Sequence, residues 1–132
     1  MKQFTNIAYW ISMAVLLFWL SYTKGWILTN FPSITKTEAL ALLSQDTNIS
    51  LLDVRTVQEY KEGHLPDATL IPLDKLEANI NKLSSVKKKK LIVYCRSGSR
   101  SMSASRILEK HGYTVLNLKG GISQFKKSEL VK

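Results

Sequence analysis

With 132 residues, the chain has room for one globular domain of ordinary size and a short extension. Its single cysteine excludes an internal disulfide, and no grouping of histidines, cysteines and carboxylates is spaced as a metal site, so neither metal nor cofactor is expected. Lys and Arg number 19 against 10 Asp and Glu, a formal charge of +9. That balance suits a neighbouring anionic membrane leaflet, and no nucleic-acid partner is expected.

The N-terminal stretch comes first. No charged residue occurs from Phe4 to Thr23, and Ile7 to Leu20 is nearly all apolar. As a helix such a stretch reaches about 30 Å, the thickness of a hydrocarbon core. Residues 1–30 are therefore expected to form one transmembrane anchor. Trp10, Trp19, Tyr22 and Trp26 suit an interfacial belt near Lys24. Ser21 to Trp26 lacks the small-residue site of a cleaved signal peptide. The basic residues flanking the span nearly balance, with Lys2 on one side and Lys24 and Lys36 on the other. The run Lys87-Lys88-Lys89-Lys90 fits a domain lying under an anionic cytoplasmic leaflet, and equally a solvated turn before a strand. A reactive thiol is kept reduced in the cytoplasm, so the domain is expected on that side.

Asn30-Phe31-Pro32-Ser33 ends the anchor, and a domain over 31–132 follows without a long linker. Thr35-Lys36-Thr37-Glu38 has capping-box spacing ahead of a helix carrying Ala39, Leu40, Leu42 and Leu43. Leu51-Leu52-Asp53-Val54 predicts a buried strand. Thr56 can cap a brief helix through Glu59 and Tyr60 that stops near Gly63. Thr69-Leu70-Ile71 predicts another strand, and Leu73, Leu76, Ile80 and Leu83 have helical spacing. Leu91 to Tyr94 is apolar on both faces, as in a central parallel strand. A helix with Ala104, Ile107 and Leu108 on one face ends at Gly112. A strand over Tyr113–Leu116 comes next, and Gly120-Gly121 introduces a last helix with Ile122 and Phe125. The alternation predicts an α/β fold: an open parallel sheet with helices on both faces, preceded by one transmembrane helix.

Ligands of such sheets collect at the carboxyl ends of the strands, and Asp53 and Cys95 each close one. Cys95 heads the loop Cys95-Arg96-Ser97-Gly98-Ser99-Arg100 between a strand and a helix. Successive backbone N–H groups and a helix N-terminus converge there, which favours a thiolate. With Arg96 and Arg100 beside it, the sulfur is expected to titrate below the ~8.5 of a free cysteine and to act as a nucleophile. The competing role, a small buried hydrophobe at a strand end, fits poorly with two arginines, a glycine and two serines.

Three ordered blocks resemble a rhodanese-family sulfurtransferase domain from about Ile34 to Phe125. They are the Cys95–Arg100 loop, Leu52-Asp53-Val54-Arg55 with Glu59-Tyr60 and Gly63-His64-Leu65, and Gly112-Tyr113 with Leu118-Lys119-Gly120-Gly121. Two places depart from the family pattern: Pro66-Asp67-Ala68-Thr69-Leu70, and Phe125, where a tryptophan is usual.

The resemblance implies two-step sulfur transfer, in which Cys95 takes a sulfane sulfur from thiosulfate or another persulfide donor and yields it to a thiol or cyanide. The loop amides would stabilise the persulfide, Arg96 would meet the donor's sulfonate, and the Ser97 and Ser99 hydroxyls would add hydrogen bonds. Gly98 would permit the tight curvature. Arg100 either faces substrate or is held by Asp53 or Glu59; Asp53, Arg55 and Glu59 are expected to fix the loop from behind. His64 is expected to make a structural hydrogen bond in its turn. Two other classes compete: a membrane-tethered interaction or sulfur-relay module without catalysis, and a cysteine-dependent phosphatase, whose loop holds one more residue between cysteine and arginine.

Overall fold

The computed structural model describes residues 2–23 and 31–132, with side chains from residue 6 to residue 21 in the first stretch. The chain forms two compact units, Met1–Asn30 and Phe31–Lys132. The first is a helix, α1 (Lys2–Thr23, 22 residues). Its large side chains from Ile7, Tyr9 and Trp10 to Phe18 and Trp19 are exposed all round.

The transmembrane helix expected from the sequence finds no support here: among the described residues, no helix is long and apolar enough to cross a membrane. The interfacial side chains expected of Tyr22, Lys24 and Trp26, and the Asn30 end of the boundary turn, lie outside those described.

The second unit is the α/β domain. Its strands are β1 (Ser33–Ile34), β2 (Ile49–Asp53), β3 (Thr69–Leu70), β4 (Lys90–Tyr94) and β5 (Thr114–Leu118), and its helices are α2 (Lys36–Gln45), α3 (Val57–Glu62) and α4 (Ser99–Lys110). Among the described residues these strands form one sheet in the order β1-β5-β4-β2-β3, and every pairing is parallel. The apolar run Leu91–Tyr94 is its central strand, as its two-faced hydrophobicity requires. Leu91, Val93 and Cys95 point to one core with Leu76, Leu83, Ala104 and Leu108; Ile92 and Tyr94 point to the other with Ala39, Leu118 and Ile122. Truncating a fully buried leucine such as Leu108 costs about 2–5 kcal/mol, so its apolar face fixes α4, and with it the loop that α4 closes.

Several local details differ from the sequence reading. The segment after β3 is 3-10 rather than α, over Leu73–Lys75 and Glu77–Val86. Its apolar residues recur at spacings of three, Leu73 to Leu76 and Ile80 to Leu83, which a helix of three residues per turn stacks on one line. The Gly120-Gly121 element is likewise a short 3-10 turn, Gly121–Gln124. Thr35 makes half of its box, accepting from the Glu38 N–H at 3.3 Å. Thr56 makes both halves with Glu59. β5 begins at Thr114 and runs on to Leu118 because Ser33–Ile34 pairs along Asn117 and Leu118. Phe125 fills the tryptophan position against the α2-side core, with the Lys36 ammonium 4.8 Å from its ring centre.

Candidate active site

β2 and β4 are in register with Asp53 opposite Tyr94, which brings Asp53 and Cys95 to the same carboxyl edge of the sheet. Cys95 is fully buried. Its Sγ accepts a hydrogen bond from the Gly98 N–H at 3.0 Å. Sγ lies 3.6 Å from Ser101 Oγ, whose own O–H donates to the Gly98 carbonyl at 2.9 Å. Burial pushes the Cys95 thiol up, but hydrogen bonding with the Ser101 side chain and with the Ser101, Gly98 and Ser97 amides outweighs it, leaving the thiol below its ordinary value. The low pKa expected from Arg96 and Arg100 thus rests chiefly on other donors.

The loop's curvature needs two glycines. Gly98 has φ +113°, a conformation that L side chains rarely adopt, and it precedes α4 without a side-chain cap, so the first amides of α4 face the loop. Gly121 braces the loop from outside. The Ile122 N–H donates to the Cys95 carbonyl at 2.9 Å and the Ser123 N–H to the Arg96 carbonyl at 3.1 Å. A Cβ on Gly121 would fall on the Cys95 carbonyl oxygen and within 2.7 Å of the Arg96 one.

The charged residues divide into two pairs. The Arg100 guanidinium donates to both Glu59 carboxylate oxygens, at 2.7 and 2.9 Å. Arg100 holds the Glu59 carboxyl down at about 2, against the cost of its burial. Asp53 does not touch this pair: it is buried against Arg55, whose guanidinium donates to it at 2.7–3.0 Å and to the Gly63 carbonyl at 2.7 Å. Asp53 and Arg55 therefore tie the end of β2 to the turn after α3, while Glu59 ties α3 to the loop's end. Arg96 is exposed and, among the described residues, pairs with no carboxylate. His64 Nδ1 lies 2.8 Å from the Tyr60 carbonyl, and its ring stacks on the Tyr60 ring.

The Ser97 and Ser99 hydroxyls are exposed and make no side-chain hydrogen bond within the described domain. Ser101, which the sequence reading passed over, supplies the hydroxyl at the sulfur. Its signal was the spacing Ser101, Ala104, Ser105, Leu108, which puts a hydroxyl on the inward face of α4. Gly121 was read as the start of a helix; a close backbone approach is a tertiary fact with no local pattern.

A cleft of about 550 Å³ borders the loop at Arg96, Ile122 and Ser123. A larger cavity of about 620 Å³, against the sheet face that carries Ile92, is lined by neither cysteine nor arginine. Among the described residues no group of His, Cys, Asp and Glu could hold a metal ion.

Strand-end cysteine, amide-lined loop and parallel sheet are the parts of one known architecture. Residues 35–128 match the model of the rhodanese-like domain, and the chain belongs to that sulfurtransferase family. A protein of Allochromatium vinosum named sulfurtransferase is 38% identical over 87 residues, covering 64% of this chain and 79% of that one. The crystal structure of a rhodanese-like domain protein from Staphylococcus aureus has a TM-score of 0.70 at 31% identity, covering 76% of this chain and 97% of that one. A Staphylococcus saprophyticus structure has the same TM-score at 29% identity, covering 77% and 100% respectively.

The brace generates a test. Gly121→Ala forces the Cys95–Arg96 peptide outward, and alkylation of Cys95 by iodoacetamide should slow about ten-fold or more while the far-ultraviolet circular dichroism is retained. An unchanged alkylation rate would show that the loop does not depend on that contact.

Proposed function

We propose that the chain is a sulfurtransferase carrying a sulfane sulfur on Cys95 from thiosulfate or a persulfide donor to a thiol or cyanide. The observation that carries this reading is the Cys95 Sγ held by the Gly98 amide at 3.0 Å inside a ring of loop amides. Such a site stabilises an anionic sulfur and asks for no further base.

In the first step the Cys95 thiolate attacks the outer sulfur of thiosulfate. The new S–S bond forms as the old one breaks, and sulfite leaves with the bonding pair. The terminal sulfur of the resulting persulfide stands about 2 Å beyond Sγ. There the amides from Arg96 to Arg100 receive its charge, and Arg96, exposed and paired with no carboxylate among the described residues, meets the sulfonate before it departs. In the second step an acceptor thiolate or cyanide attacks that terminal sulfur, and the Cys95 thiolate leaves. Arg100 belongs to the loop's frame rather than to the substrate, because Glu59 already occupies its guanidinium.

Membrane attachment through the 1–30 segment, with the domain on the cytoplasmic side, is part of the same proposal. It is supported by a helix that exposes Ile7, Trp10, Ile11, Val15, Leu17 and Trp19 to its surroundings. Isolated soluble units rarely leave so much contiguous apolar surface uncovered.

Two measurements test the reading. The intact mass of the full chain should rise by one sulfur atom with thiosulfate and return with cyanide as thiocyanate appears, and Cys95→Ser should abolish both changes. A folded protein with a free thiol that gains nothing from thiosulfate or from a low-molecular-weight persulfide would leave the interaction-module reading instead. In cells, the chain should resist extraction from membranes by alkaline carbonate, and recovery in the carbonate supernatant would remove the anchor from the proposal.

A further inference from the structure

The cleft beside the loop has far more room than a thiosulfate ion fills, about 550 Å³. One wall is the segment 126–132, which carries Lys127 and Lys132 into the lining beside the apolar side chains of Ile122 and Leu130. This wall is built onto the domain at three points. Glu129 pairs with Lys36 at 2.8 Å and accepts from the Lys126 N–H at 3.1 Å. His64 and Val131 exchange backbone hydrogen bonds of 2.8 and 2.9 Å. Leu130 packs on Gly63, where a Cβ would lie 3.3 Å from Leu130 Cδ1.

The charge around the cleft is one-sided once the pairs are removed. Asp53 occupies Arg55 and Arg100 occupies Glu59, so these lining residues offer little to a ligand. Glu62 remains as a carboxylate, with the Gln58 amide donating to it at 3.1 Å. Against it stand Arg96, Lys127 and Lys132, none of which pairs with a carboxylate among the described residues. Ile122 and Ser123, which line the cleft, donate their amides to the Cys95 and Arg96 carbonyls and so join it to the loop.

We propose that Lys127 and Lys132, with Arg96, form a recognition subsite for a small acceptor thiol carrying carboxylate groups, whose carbon skeleton rests on Ile122 and Leu130. The proposal deepens the sulfur-transfer reading and depends on it. A thiol bound here presents its sulfur to the loop while its carboxylates meet the lysines of the wall. The thiolate attacks the terminal sulfur of the Cys95 persulfide, the S–S bond to Cys95 breaks, and the Cys95 thiolate is the leaving group. A neutral thiol reaches the same sulfur without those contacts.

Single-turnover discharge isolates this step. The full chain is loaded with thiosulfate, freed of excess donor, and mixed with glutathione, which has two carboxylates, or with dithiothreitol, which has none, and loss of the extra sulfur is followed by mass. In the double variant Lys127→Gln and Lys132→Gln, the ratio of the glutathione rate constant to the dithiothreitol one should fall about five-fold at low salt, the scale of two exposed ion pairs. The fall should shrink at high ionic strength, and the variant Lys127→Arg and Lys132→Arg should retain the ratio. A ratio unchanged by the glutamine pair overturns the subsite, as does an equal fall for both thiols. Failure of the unmodified chain to load any sulfur would instead overturn the transfer reading beneath it.

Discussion

A sulfur anion buried at the end of a parallel strand persists only if fixed hydrogen-bond donors replace the water it has lost. Cys95 is fully buried, so this constraint governs everything around it. The Ser97, Gly98 and Ser101 amides supply the donors, with the Ser101 Oγ 3.6 Å from the sulfur. For those amides to point at one atom, the chain must turn sharply through Gly98 and enter α4 without a capping side chain. For the turn to hold its shape, something must press on it from behind: the chain packs closely at Gly121, and the Ile122 and Ser123 amides donate to the Cys95 and Arg96 carbonyls. Preorganised donors are worth most where water is excluded, because nothing reorganises as charge develops.

The ion pairs follow from the same requirement. Glu59 is placed by the capping box it shares with Thr56, and from the first turn of α3 it grips Arg100 in a two-pronged pair. A guanidinium held by both carboxylate oxygens is fixed in orientation as well as in distance. Asp53 and Arg55 do a different job deeper in the domain, joining the end of β2 to the Gly63 carbonyl. Removing one partner of so buried a pair would strand a charge at a cost of about 3–5 kcal/mol. With both pairs satisfied internally, Arg96 is the loop cation that pairs with no carboxylate among the described residues.

What the sequence made legible was what depends on local pattern. The two-faced run Leu91–Tyr94 announced a central strand, Thr56 announced a cap, and the strand ends at Asp53 and Cys95 announced a shared edge. What it concealed depends on which elements meet. Asp53 and Glu59 were equal candidates for Arg100, because two carboxylates six residues apart differ only in where β2 and α3 place them. Ser101 lay on an ordinary helix face until α4 packed beneath the sulfur. The transmembrane expectation rests on an uncharged, nearly all-apolar stretch from Phe4 to Thr23, and among the described residues no helix is long and apolar enough to cross a membrane.

The claim on which the account rests is that the loop's donors hold Cys95 as a thiolate. The most direct measurement is the titration of Cys95 by thiolate absorbance in the full chain and in Ser101→Ala. The account predicts half-ionisation below the ~8.5 of a free cysteine and an upward shift when the hydroxyl is removed. A Cys95 that ionises at or above the free value, or that ignores the loss of Ser101, would contradict it.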